Sequence, residues 1–258
     1  MLREFSNLAW PKTPYAADMR PVARKVRLLT GMSIQWADDG SEATPIGAAA
    51  VFIPVHRTAS REIVADTLHF GYRSVAVEPD GDRSDIPAFV DGVLVQARRE
   101  AEIIGWHSFP DDLHALRPLL TTPRAGIDSV GEAWADRPRR ERSTALLVDT
   151  ADDGMQLDSA LTANRLDFGP VLWRYRAPVV LQQAYEDLTV STGQPGRQVW
   201  PTQHIGAAAL MTALATALMA GRQAERLTWN GTFDVAKALR LAAWDTMPLV
   251  FDSTDRQV

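Results

Sequence analysis

A carboxylate at the mouth of an apolar strand is the feature of this chain best placed to do chemistry. In the segment Gly105-Trp-His-Ser-Phe-Pro-Asp-Asp-Leu-His-Ala-Leu116, the preceding Ala101–Gly105 reads as a short buried strand and Ser108 with Pro110 as a turn. Residues 111–120 read as a helix with Leu113, Leu116, Leu119 and Leu120 on its inner face. Asp112 then stands in the first turn of that helix, where it either caps free backbone N–H groups or reaches outward to a metal ion. The five histidines, His56, His69, His107, His114 and His204, form no short metal-binding motif, and no G-x-S-x-G, Walker-type or dinucleotide-binding loop occurs. A basic run, Arg137-Pro-Arg-Arg140-Glu-Arg142, offers Arg137, Arg139, Arg140 and Arg142 as candidates for nucleic-acid phosphate contact, with a solvated turn as the alternative.

The order of these pieces carries more than any of them singly. The run His107-Ser-x-x-Asp-Asp112-Leu-x-x-Leu116 resembles the second motif of the DEDD 3'-5' exonucleases, usually written H-N-x-x-F-D-L-x-x-L. Ala145-Leu-Leu-Val-Asp149-Thr150 is similar to the I-D-T strand of that family, and Val180–Leu188 to its following helix. His204, at the head of a long apolar helix, is placed like the histidine of the third motif, H-x-A-x-x-D. The resemblance spans residues 46–221 and implies an α/β chain of RNase H-like architecture, a mixed sheet flanked by helices with N- and C-terminal additions. It implies Asp112 as a metal ligand and His204 as general base if the chain is active, with Mg²⁺ or Mn²⁺ as the ion.

The departures decide how the resemblance is read. Aligned on Val51-Phe52, the strand Ala48–His56 puts Ile53 and Val55 where the first motif carries two acids, and Ala209 stands five residues after His204 where the last aspartate belongs. Two-metal phosphodiester hydrolysis needs paired ions held by several anionic oxygens, and one aspartate with one histidine cannot hold them. The expectation is a non-catalytic protein on an exonuclease scaffold, without cofactor, binding a protein partner or a single-stranded nucleic-acid end. The alternatives are an active exonuclease with a displaced first motif, to which Glu62, Asp66, Glu78 or Asp80 contribute, and a structural interaction protein with no nucleic-acid role.

Composition supports a compact α/β chain. With 258 residues, 46% hydrophobic and 23% charged, the chain can bury a full core. The absence of cysteine removes disulfides, thiolate metal sites and a cysteine nucleophile, which fits a reducing cytoplasm, and residues 1–6 carry no signal-peptide pattern. A formal charge of −5 argues against a general nucleic-acid surface. Lys12, Lys25 and Lys237 are the only lysines among 27 basic residues, an arginine bias that fits GC-rich coding of an actinobacterial kind. Ile205–Gly221 has no charge for 17 residues but is rich in alanine and threonine, so it reads as a buried helix with Ile205, Met211, Leu214 and Leu218 on one face, and no membrane association is expected.

The elements that must position the candidate residues follow. Residues 1–45 read as an extension holding a Pro-rich start and an added strand pair around 22–29 and 32–36; 46–221 as the main domain; 222–258 as a C-terminal helical extension. Within the main domain, strands are expected near 48–55, 62–70 and 73–78, then a helix near 86–100 opened by Asp85-Ile-Pro. Leu172–Arg176, alternating aromatic residues with arginine, reads as a half-buried strand, with base stacking by Trp173 and Tyr175 and phosphate contact by Arg174 and Arg176 as the alternative. The helix over Phe233–Asp245 is expected to lie on the outside, anchored by Trp229 and Trp244.

Overall fold

The computed structural model describes residues 1–8, 25–38, 43–78, 81, 84–136, 145–151, 154–191 and 193–251. The cluster Arg137, Arg139, Arg140 and Arg142, and Asp80, lie outside these residues. Long apolar runs pair first. Strand β2 (Val26–Asp38) and strand β3 (Ala43–His56) form a hairpin from Val26↔His56 to Asp38↔Ala43, buried along almost its whole length. Strand β5 (Gly71–Val77) adds antiparallel to β3, and strand β1 (Leu2–Ser6) antiparallel to β5. On the other side of β2, strands β6 (Ala101–Trp106) and β7 (Leu146–Asp149) pair in parallel, which gives a mixed six-stranded sheet in the order β1-β5-β3-β2-β6-β7. The two-residue strands β4 (Arg61–Glu62) and β8 (Leu166–Asp167) pair outside this sheet with β9 (Leu227–Thr228) and β10 (Phe233–Asp234).

Two expectations are corrected here. Residues 26–38 are one continuous strand at the centre of the sheet, hydrogen-bonded on both sides, rather than part of an added pair; Gly31 and Ser33 are compatible with strand because neighbours on both sides supply the packing. The span 62–70 is not a strand beyond Glu62, since Ala65–Thr67 closes a short 3-10 turn.

Helices cover both faces. Helix α1 (Asp85–Glu100), the crossover before β6, lies on one face together with helix α3 (Ala125–Ala135), whose first backbone N–H groups, at Gly126 and Ile127, donate to Asp91 of α1 at 2.7 and 3.1 Å. Between them, helix α2 (Phe109–Leu116) begins two residues after β6 and buries Phe109, Leu113 and Leu116. Helices α4 (Leu157–Ala163), α5 (Gly169–Tyr175) and α6 (Pro178–Val190) follow β7. The segment Leu172–Arg176 is therefore mostly helical: Pro170 in its first turn pre-sets the backbone, and a single side, marked by Leu172, is buried.

Helix α7 (Pro195–Gln223) packs across the other face, against β2, β3, β5 and β6. It is long and apolar enough to cross a membrane, and 94% of its most apolar stretch is buried inside the fold. Instead of one apolar face, nearly every residue from Pro201 to Gly221 is buried, because the sheet lies under it, α6 beside it and the C-terminal elements beyond. Helix α8 (Val235–Ala243) buries Leu239 and Ala243 and leaves Ala242 half-buried, and the short helix α9 (Pro248–Phe251) packs on α7; Trp229 is buried, whereas Trp244 is 58% exposed and anchors nothing inside.

The helix approaches the sheet closely because the residues between them are small. A Cβ on Gly31 would strike the carbonyl oxygen of Ala213 and the Cβ of Ala217, and one on Gly105 would lie 2.5 Å from the Cβ of Ala220. Two sheet hydroxyls bridge the same interface, Ser33 Oγ donating to the Ala209 carbonyl at 2.7 Å and Ser74 Oγ to the Gly206 carbonyl at 2.6 Å. Gly31→Ala is expected to lower stability by about 1–3 kcal/mol, since the obstructing atom is backbone and cannot rotate away; a fall in the urea midpoint at constant slope checks this, and an unchanged midpoint refutes it.

Candidate functional site

Asp112 lies where β2, β6 and α2 converge, and its surroundings differ from a helix cap. The Trp36 indole at the end of β2 donates to Oδ1 at 2.7 Å, and the Trp106 indole at the end of β6 donates to Oδ2 at 2.5 Å. The cap reading is corrected by this geometry: the backbone N–H of Asp112 is already satisfied by the Ser108 carbonyl at 3.1 Å, and its carboxyl turns toward the sheet. Three chain segments hold the arrangement. Ser108 takes a left-handed conformation (φ 58°) that turns β6 sharply into α2. Asp149 at the end of β7 fixes that turn by accepting from the backbone N–H groups of Ser108 at 2.9 Å and Ala151 at 3.0 Å. At the end of β2 the ladder with β3 slips between Gln35 and Trp36, with Ile46 as the extra residue of β3, a bulge of the kind that re-aims side chains at sheet ends.

These elements open on a cleft of about 630 Å³ lined by residues of β2, α2, α4, α5, α6 and α7. Ser33 and Gln35 alternate on the side of β2 that faces α7. Gln35 Nε2 lies 3.5 Å from Thr212 Oγ1, and the Thr212 hydroxyl itself donates to the Ala208 carbonyl at 3.1 Å. On the opposite wall, the guanidinium of Arg176 donates to Asp158 at 2.7 Å and lies 4.6 Å from the Trp173 ring centre. Arg176 is 7% exposed in its side chain and is thus committed to an internal ion pair and an aromatic ring, not held out for phosphate as the alternative reading of that segment had it. His107 joins the cleft wall, its Nδ1 3.2 Å from the Thr150 hydroxyl.

Burial controls the electrostatics. Enclosure pushes the Asp112 carboxyl from 3.8 up to about 7; the two indole donors pull it down, and Asp111 and Asp149 add to the rise. No cation contributes. Burial also lowers His107, with Asp149 opposing, and lowers Arg176, with Asp158 opposing.

His204 lies elsewhere. It is fully buried on α7, two helical turns and more before Thr212, about 12 Å along the axis at the usual rise, and it does not line the cleft. Its Nε2–H donates to the Tyr175 carbonyl at 2.8 Å, its Nδ1 has no partner among the described residues, and its ring is boxed edge-on by Tyr175 and Trp200 at 4.9 and 4.7 Å. Burial lowers its pKa. The structure therefore does not bring Asp112 and His204 together.

The strand facing Asp112 is β2, not β3. Ile53 and Val55 pair with Leu29 and Arg27, toward the opposite end of the hairpin, and are core residues at 1% exposure. Ala209 does lie against β2, but it offers a backbone carbonyl to Ser33 rather than a side-chain ligand. Glu62 accepts from Asn230, Asp66 pairs with Lys237, and Glu78 lines a separate pocket beside β1; none of them lines the cleft. Among the described residues no group of three or more histidine or acidic side chains is placed to hold a metal ion. The residues that sequence reasoning missed are Trp36, Gln35, Ser33, Thr212 and the Arg176–Asp158 pair. A signal for the first three was present in Gly31-Met-Ser-Ile-Gln-Trp36, where small or polar residues alternate with large apolar ones at strand period. No protein-family model, curated protein or solved structure matches the chain.

The raised carboxyl sets a pH dependence. Folded Asp112 holds its proton up to about 7 while the unfolded chain releases it near 3.8, so the contribution to stability is fully present below pH 3.8 and is lost as pH rises through about 7. At full value it corresponds to about 4 kcal/mol, reduced to about 2 kcal/mol by the partial exposure of the side chain. His107 and His204, both lowered, act in the opposite sense, so the difference between wild type and Asp112→Asn isolates the carboxyl. Denaturant midpoints should show wild type losing stability relative to the variant across that window; parallel profiles would contradict the assignment. Trp36→Phe removes one charge-assisted hydrogen bond and is expected to cost about 1.5–3 kcal/mol above neutral pH, and less in acid, by the same measurement.

Proposed function

We infer that this chain is a non-catalytic protein on an RNase H-like, exonuclease-like scaffold, and that it binds a protein partner through the cleft at Asp112. The sheet order supports the scaffold. Omitting β1, strands β5-β3-β2-β6-β7 run as an antiparallel meander of three followed by two parallel strands, with the first strand of the meander central. In that arrangement the first-motif strand is β2, and the positions that would carry its acids are Ser33 and Gln35.

The observation that carries the non-catalytic reading is that uncharged groups stand where the acids beside Asp112 would be. Ser33 bonds α7, Gln35 approaches Thr212, and Asp112 accepts one hydrogen bond from each of two indoles. Divalent ions of the hard type need several anionic oxygens, and Asp112 is the single carboxylate among these groups. A protein partner is favoured over a nucleic-acid end because the charges acting on Asp112, from Asp111 and Asp149, are acidic, while Arg176 and Asp158 in the cleft wall cancel as an ion pair. Phosphates would be repelled there.

Calorimetric titration with Mg²⁺ and Mn²⁺, run beside degradation of end-labelled single-stranded DNA and RNA, tests the reading. Neither metal uptake nor 3'-5' shortening is expected, in the wild type or in Asp112→Ala. Metal uptake with shortening that Asp112→Ala abolishes would overturn it.

A further inference from the structure

Around Asp112 and Gln35, four side-chain hydrogens already go to protein acceptors: those of Trp36 and Trp106 to Asp112, that of Ser33 to Ala209 and that of Thr212 to Ala208. On the other side of the cleft, Arg176 Nε is buried without a partner among the described residues. Because the Thr212 hydrogen points at a carbonyl, its oxygen can only accept, and this fixes the Gln35 amide with its nitrogen toward Thr212. The Gln35 carbonyl oxygen then has no protein partner among the described residues, although Gln35 is 8% exposed. Each Asp112 oxygen receives one hydrogen bond and keeps a further lone pair. The Gln35 oxygen is thus an acceptor open to the cleft, and a largely enclosed carboxylate with no cation beside it among the described residues is costly.

We propose that this cleft receives a singly charged organic head group, a guanidinium or ammonium, seated between Asp112 and Gln35. This rests on the reading of the chain as a non-catalytic binder and names what the cleft recognises. Such a head supplies the missing donors and the missing charge together, and a guanidinium also matches two separated acceptors with a planar fork. Trp36 and Trp173 give the cleft aromatic walls suited to a cation. A hard divalent ion would find too few anionic ligands here. The chemistry is shared by an arginine or lysine side chain of a partner protein and by a free amine or guanidine.

Binding is linked to pH through Asp112, and the charged groups facing it are Asp111 on its own helix, His107 and Asp149 at the ends of β6 and β7, and Arg176 with Asp158 on the opposite wall. Asp111 and Asp149 reinforce attraction of a cation, and Arg176 and Asp158 neutralise each other. Since Asp112 stays protonated up to about 7, its ionised form, which the cation needs, is the minor one in acid.

The indoles of Trp36 and Trp106 report directly on Asp112. In ¹⁵N-labelled protein, their indole N–H signals are followed during titration with agmatine, with the tripeptide acetyl-Gly-Arg-Gly-amide, with butyramide as a neutral control and with Mg²⁺. Saturable shifts of both signals by agmatine or the peptide are expected, about 30-fold weaker near pH 5.5 than near pH 8.5 for a carboxyl at about 7. A preference for the peptide identifies a protein side chain as the source, and a preference for agmatine a free amine. Gln35→Ala, which leaves the Asp112 contacts in place, is expected to weaken binding about tenfold, the worth of a hydrogen bond to a charged group; Asp112→Asn is expected to abolish it. Equal shifts with butyramide, unchanged affinity in Gln35→Ala, or no shift by either cation overturns the inference. If the cations are silent and no nuclease activity is found, the inference falls while the non-catalytic reading stands; Mg²⁺-induced shifts accompanied by strand shortening bring down that reading itself.

Discussion

The contact on which the rest of this fold depends is the close seating of a long uncharged helix on the central strands of a mixed sheet. Helix α7 reaches β2 and β6 because Gly31 and Gly105 face it, and because the helix answers with Ala213, Ala217 and Ala220. Small residues on both sides bring backbone near backbone, so dispersion contacts accumulate over a wide area and little room is left for adjustment. Close approach also lets Ser33 and Ser74 reach helix carbonyls, which satisfies two hydroxyls that would otherwise be buried without partners. The position of Thr212 beside Gln35, and so one wall of the cleft, is a consequence of that seating.

Around Asp112 two opposing effects meet. Enclosure in a low-dielectric corner disfavours its charge, and two indole donors favour it; enclosure wins, helped by Asp111 and Asp149. A carboxyl titrating near neutrality in a cleft is a common mark of a functional site, because ligand charge can then tip its state. Beside it on β2 stand a hydroxyl and an amide, Ser33 and Gln35, and the other carboxylate lining the cleft, Asp158, is paired with Arg176. The unused acceptors beside Asp112 are the feature open to a ligand there.

Local pattern was legible where one segment decides its own state. The crossover helix, expected from about 86, runs over Asp85–Glu100, the helix resembling the family's at 180–188 runs over Pro178–Val190, and the strand before Gly105 ends one residue later at Trp106. Pattern failed where neighbours decide. The run 26–38 contains a glycine, a serine and a glutamine that weaken its strand signal in isolation, yet with partners on both sides it is the central strand. Leu172–Arg176 alternates like a strand, but the flanking Gly169-Pro170 and the turn at Arg176 close it as a short helix. Ile53 and Val55, on the second arm of the hairpin, pair with Leu29 and Arg27, far from the end of β2 that faces Asp112.

The sequence by itself determined that the chain is α/β with a buried uncharged helix, that it lacks thiol chemistry, and that Asp112 begins a helix at the end of an apolar strand, because composition and short-range periodicity are properties of contiguous residues. Only the tertiary structure decided what surrounds Asp112. Trp36 lies 76 residues away from it in the chain, and Thr212 stands 177 residues from Gln35. Such partners are chosen by strand order and helix seating, which depend on the sum of many non-local contacts, so no local pattern announces that an aspartate in a helix's first turn will accept from two indoles.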